Sequence, residues 1–116
     1  MKNVKEFEID LTTSNDCNLV LDVLKNTTII GELYSCYYDG AEHMTCTMYA
    51  DDEQTKDLLE KFPVFENIFA DEYELDDDCV GDLKDIKKST IDDIYELKSV
   101  YEKLEALHER YALVKE

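Results

Sequence analysis

The sequence predicts an α+β domain: a small antiparallel sheet of three to four strands in split βαβ-like order, with two short helices and a long C-terminal helix. Three observations carry this expectation. Residues 4–11 alternate apolar and acidic side chains. Asp39-Gly40 divides two runs rich in β-branched and aromatic residues. From Ile94 to Tyr111, apolar residues recur at three-then-four spacing. With 116 residues, 44% of them hydrophobic, three Gly and one Pro, residues 1–116 are expected to form a single domain with a filled core.

In chain order, Lys5, Phe7, Ile9 and Leu11 fall on one face of the first strand, and Glu6, Glu8 and Asp10 on the other. Ser14 is the expected N-cap of a helix reaching about Lys25, with Leu19, Val20, Val23 and Leu24 as its apolar stripe. Residues 28–38 and 42–49 then read as a hairpin in which Tyr38 opposes Ala41, Cys36 opposes His43 and Leu33 opposes Cys46. Asp51 or Asp52 caps a second helix, with Leu58, Leu59 and Phe62 inward, and Pro63 ends it. Residues 68–76 leave a fourth strand open, since Phe69, Tyr73 and Leu75 alternate with Ala70, Glu72, Glu74 and Asp76. The final helix is expected to start at Ser89 or Thr90 and run to about Val114, roughly 36 Å. Its seam is Ile94, Leu97, Tyr101, Leu104, His108 and Tyr111, joined by Val100, Leu107 and Val114 every seventh residue. That seam either covers the sheet, the expected arrangement, or pairs with a copy of itself, so a dimer through this helix stays open.

Several kinds of chemistry fail on spacing. Asp76, Asp78 and Gly81 fit positions 1, 3 and 6 of a calcium loop, but Val80 and Lys87 then stand at positions 5 and 12, where oxygen ligands are required. His43 and His108 are far apart, and a Cys36–His43 pair lacks further ligands for zinc and an orienting residue for nucleophilic catalysis. His108, on a heptad position, reads as a partly buried packing residue. Carboxylate pairs are plentiful but lie in exposed-looking segments, where nothing separates their pKa values. The chain is expected to be no enzyme and to need no metal or cofactor. Cys17, Cys36, Cys46 and Cys79 are scattered and read as buried thiols in a reducing compartment. The absence of a run of about 20 apolar residues and of a secretory pattern points to the cytoplasm.

Charge is the remaining signal. Twenty-nine Asp and Glu against twelve Lys and Arg give −17. Residues 51–85 hold fourteen carboxylates and three lysines, a net of −11, leaving −6 for the other 81 residues. Asp71, Glu72, Glu74, Asp76, Asp77 and Asp78 are the densest run, followed by Asp82 and Asp85. Such crowding repels nucleic acid and anionic membranes and attracts a basic protein surface. If the fourth strand lies antiparallel beside the first, Glu6, Glu8 and Asp10 are expected next to Glu72, Glu74 and Asp76. Same-face residues two apart on a strand lie about 6.8 Å apart, comparable with the spacing of backbone phosphates.

In size, charge, the acidic run at 71–78 and a compact mixed fold, the chain resembles, as a class, the small acidic phage-encoded inhibitors that imitate nucleic acid, such as anti-restriction and anti-CRISPR proteins. That resemblance implies competitive occupation of a basic nucleic-acid-binding groove on a host enzyme, in the host cytosol. The alternative is an acidic interaction module or an immunity protein that neutralises a basic toxin by protein–protein contact. Tyr37 and Tyr38, in the hairpin, join the expected binding residues, and being consecutive they must point to opposite sides of the sheet.

Overall fold

The first strand, β1 (Lys2–Asp10), is one of the two inner members of a four-stranded sheet ordered β2-β3-β1-β4. We describe it from a computed structural model covering residues 2–115; the side chains of Tyr38, Asp77, Val80 and residues 112–115 lie outside the described set, so the expectations for Tyr38, Asp77 and Val114 fall there. The other strands are β2 (Ile30–Tyr38), β3 (Ala41–Ala50) and β4 (Ala70–Leu75), and the helices are α1 (Ser14–Asn26), α2 (Asp52–Lys61) and α3 (Asp77–Lys115). All three ladders are antiparallel, which gives the split βαβ order with an added C-terminal helix.

Local chemistry sets the boundaries. Thr13, one residue before the expected cap, caps α1: its side chain accepts from the Asp16 N–H at 3.3 Å, and the Asp16 carboxylate accepts from the Thr13 N–H at 3.0 Å. Asp51 and Gln54 make the same reciprocal pair at the start of α2, at 2.8 and 3.0 Å. Asp39 and Gly40 turn the hairpin with φ of 52° and 77°, the left-handed pair that a two-residue turn between twisted strands requires. The register therefore sets Tyr38 opposite Ala41, Cys36 opposite His43 and Leu33 opposite Cys46.

One face of the sheet is covered. Phe7, Ile9, Cys46 and Met48 pack there against Val20 and Leu24 of α1, Leu58 of α2, Phe65 of the 3-10 turn Pro63–Asn67 and Ile94 of α3. Cys17 and Cys46 are fully buried, and burial pushes their thiols up to about 11 and about 12. Cys36 is half-buried and Cys79 exposed, so only two of the four cysteines are core thiols.

The last helix departs most from expectation. It begins twelve residues before Ser89, directly after β4, so the run Asp77-Asp78 forms its first turn rather than a loop. Acidic residues suit a helix N-terminus, where unpaired N–H groups carry partial positive charge. The calcium-loop spacing is thereby wound into a helix, and Lys87 donates to the Thr27 carbonyl at 3.1 Å. At 39 residues α3 is about 58 Å long and spans the longest dimension of the molecule, 56 Å. Leu83 packs with Val4, Ile30 and Leu75, and Ile94 joins the main core. The Tyr101 hydroxyl donates to the Leu11 carbonyl and Ser14 donates to Glu105 at 3.0 Å. Residues 102–111 are all exposed. His108 is among them, because the helix leaves the globule before that position; it is no packing residue.

Candidate functional site

Strand alternation puts Glu6, Glu8 and Asp10 on the face of β1 opposite Phe7 and Ile9, and among the described residues no helix covers the middle of that open face. Their neighbours follow from the registers. On β3, Tyr49, Thr47 and Thr45 stand opposite Glu6, Glu8 and Asp10. On β4, Asp71 stands opposite Glu6, and Tyr73 opposite Val4. On β2, Glu32 and Tyr34 stand opposite Thr47 and Thr45. The result is a surface of carboxylates and tyrosines lying over Thr45 and Thr47, which are themselves buried.

Its side chains are held by one another. The Tyr34 hydroxyl donates to the Glu8 carboxylate, and Thr45 donates to Asp10 at 3.1 Å. Tyr49 and Tyr73 stack at 5.8 Å between ring centres, tilted by 40°. Such contacts fix charged groups in place before any partner arrives. Partial burial, and then the charges of Glu8 and Asp71, raise the pKa of Glu6 above its ordinary value. Burial and the hydrogen bond to Glu8 raise that of Tyr34. Burial, followed by the charges of Glu6 and Glu32, drives Tyr49 upward as well. Among the described residues, ion pairs join Lys2 to Asp51 at 3.2 Å and Lys61 to Asp57 at 3.2 Å. Neither reaches Glu6, Glu8, Asp10 or Asp71.

The expected row of Glu72, Glu74 and Asp76 beside Glu6, Glu8 and Asp10 does not form. Lys5 pairs with Glu72 and Asn3 with Glu74, so these two glutamates have the parity of Phe7, opposite to the acidic row. They are exposed at the β4 edge. A one-residue difference in register transfers every side chain to the other face, and here it exchanges Glu72 for Asp71. Asp76 follows the strand and is exposed.

The remaining acidic residues form a second row. Val4, Ile30 and Leu75 have open-face parity, so the seat of Leu83 on them closes one end of that face with the first turns of α3. Asp78, Asp82 and Asp85, at i, i+4 and i+7, are exposed on the side of α3 away from Leu83. Asp92 and Glu96 continue that ridge. Tyr37 is 75% exposed, but it opposes Glu42 and has the parity of the covered face, at the hairpin tip. It is therefore separate from the tyrosines of the acidic surface.

Sequence reasoning missed Glu32 and Tyr73 as site members, and Phe69, 80% exposed next to β4. For Glu32 the signal was available: the hairpin register that opposes Leu33 to Cys46 sends Glu32 to the face of Thr47. Among the described residues, no group of three or more His, Cys, Asp or Glu converges in a metal-holding arrangement, and no helix is long and apolar enough to cross a membrane. What the surface can do chemically is present fixed negative charge and aromatic edges to a cationic partner. No family model, curated protein or solved structure matches this chain, so the reading of the site rests on its own residues.

Proposed function

We propose that this protein is a non-enzymatic acidic inhibitor that binds the basic nucleic-acid-binding surface of a host enzyme by nucleic-acid mimicry, of the anti-restriction or anti-CRISPR kind. The observation that carries the reading is the row Glu6, Glu8 and Asp10, flanked by Asp71 and Glu32, on the open face of a sheet whose other face is locked into the core. Carboxylates about 6.8 Å apart on a rigid strand present charge at intervals that a phosphate-binding groove accepts. Tyr34, Tyr49 and Tyr73 supply flat surfaces among them, as bases do among phosphates. The ridge Asp78, Asp82 and Asp85 extends the negative field and steers the encounter, an effect strongest at low salt.

The test is inhibition of a panel of restriction and RNA-guided nucleases with the intact chain. Inhibition that falls as duplex DNA or guide RNA is raised is the expected result. Replacing Glu6, Glu8, Asp10 and Asp71 together with Gln or Asn should abolish it. The tyrosines favour a second reading, because Tyr is enriched at the centres of protein interfaces: neutralisation of a basic toxin in the manner of an immunity protein. Binding that depends on the same carboxylates but is unaffected by competing nucleic acid would select that reading. Binding unaffected by the fourfold replacement would reject both.

A further inference from the structure

Beyond the globule, α3 carries an apolar stripe that none of the other described residues covers. Val100, Leu104, Leu107 and Tyr111 recur at four-three-four spacing and are 51, 46, 39 and 62% exposed, which places them on one side of the helix. At the base of the stripe lies a groove of about 340 Å³ whose apolar lining is Leu33 and Met44 of the hairpin with Leu97 and Val100 of α3, and whose rim is Asp93 and Glu96. The charge of the chain also changes here. Residues 1–97 carry the whole net charge of −17, whereas residues 98–116 balance Lys98, Lys103, Arg110 and Lys115 against Glu102, Glu105, Glu109 and Glu116. Two copies of so acidic a protein repel one another overall, and along this balanced segment that repulsion is weak.

We propose that the projecting end of α3 pairs antiparallel with the α3 of a second copy, seating its tip in the groove at the base of the other. The antiparallel direction follows from charge. It brings Arg110 of one copy to the acidic rim, Glu96 and Asp93, of the other, twice by symmetry, whereas a parallel pair keeps Arg110 of each copy about 21 Å along the axis from Glu96 of the other. The register that rests Leu107 on Leu97, Leu33 and Met44 also rests Leu104 on Val100. It leaves one unfavourable contact, the two Lys103 side chains meeting near the two-fold axis. Pairing along this segment leaves the open acidic face outside the contact, so the assembly would display that face twice.

Sedimentation of the intact chain across a range of concentrations at physiological salt tests this. A monomer–dimer equilibrium is expected, with Leu104→Glu weakening it by about tenfold or more while far-UV dichroism shows the helix retained. Arg110→Glu should weaken it, and Glu96→Arg together with Arg110→Glu should restore it. Lys103→Gln should tighten it. A chain that stays monomeric at every concentration, a dimer indifferent to Leu104→Glu, or a double charge exchange that fails to restore pairing would each overturn the proposal; the first would leave the groove to a different protein. The fourfold replacement on the acidic face leaves this equilibrium in place, so its outcome is independent of the inhibitor reading.

Discussion

Phe7 and its neighbours Glu6 and Glu8 share one strand and have opposite consequences. Phe7 is 3% exposed, with its ring edge-on to Phe65 at 5.8 Å between centres and 84° between planes. Glu6 and Glu8 point the other way, into a field of like charge. On the covered face the core side chains are held by the fold itself, through close packing and dispersion. On the open face the fold holds like charges close together: Glu6 stands opposite Asp71 and two residues from Glu8, and such repulsion destabilises the compact state. Under the proposed reading, stability and binding are divided between the two sides of a single sheet, so a substitution on β1 should affect one or the other.

The largest expected effect breaks the covered side. Phe7→Ala removes a buried ring and should cost about 3–5 kcal/mol, a large part of the 5–15 kcal/mol typical of a domain. Thermal unfolding should show the midpoint lowered by roughly 10–25 °C. The open side should respond in the opposite direction. The fourfold replacement of Glu6, Glu8, Asp10 and Asp71 relieves the cross-strand like-charge pair of Glu6 and Asp71, worth about 0.2–1 kcal/mol, and the repulsion along β1, so its midpoint should stay level or rise by a few degrees while partner binding disappears. The matched control is Glu72→Gln with Glu74→Gln, two charges removed from the β4 edge on the other parity. Binding should survive that change in a direct affinity measurement, and its loss would place the contact on the edge of the sheet instead.

Most of this division was legible in the sequence. The alternation at residues 4–11 separates Phe7 from Glu6, and the Asp39-Gly40 turn fixes the hairpin register without knowledge of any other element. Two features were hidden for the same physical reason: they are set by long-range contacts. Nothing within residues 68–76 states which neighbour β4 will meet or in what register, so Asp71 rather than Glu72 on the acidic face could be read only once β1 and β4 were paired. The start of α3 was obscured by composition. Asp76-Asp77-Asp78 and Gly81 are turn-forming residues by local preference, yet Leu83, seated on Val4, Ile30 and Leu75, keeps those turns helical. Conversely, the heptad pattern to Tyr111 correctly marked a long helix but carried no information on where the globule stops covering it.

The smallest expected effect separates two carboxylates by the sign of their pH dependence. Asp16 is partly buried, which by itself would raise its pKa, but it accepts from the Thr12 N–H, the Thr12 hydroxyl and the Thr13 N–H at 3.0, 2.9 and 3.0 Å, and these hold it below its ordinary value. Its contribution to stability is therefore complete above the unfolded-state value, about pH 3.9, and is lost as pH falls through the lowered one. Glu6 is raised, so the native state binds its proton more tightly than the unfolded chain does. Its favourable contribution is complete below about pH 4.3 and is lost as pH rises through the raised value. Asp16→Asn should accordingly destabilise at neutral pH, by roughly 1 kcal/mol as cap losses do, with the deficit shrinking in acid. Glu6→Gln should stabilise slightly at neutral pH, and its advantage should also vanish in acid. Denaturant midpoints of both variants and the parent between pH 3 and pH 7 would show two difference curves of opposite sign converging toward low pH. A Glu6→Gln curve lying with that of Asp16→Asn would mean that Glu6 is held by a favourable contact of the fold, and the open face would then lose its claim to be charge held in reserve for a partner.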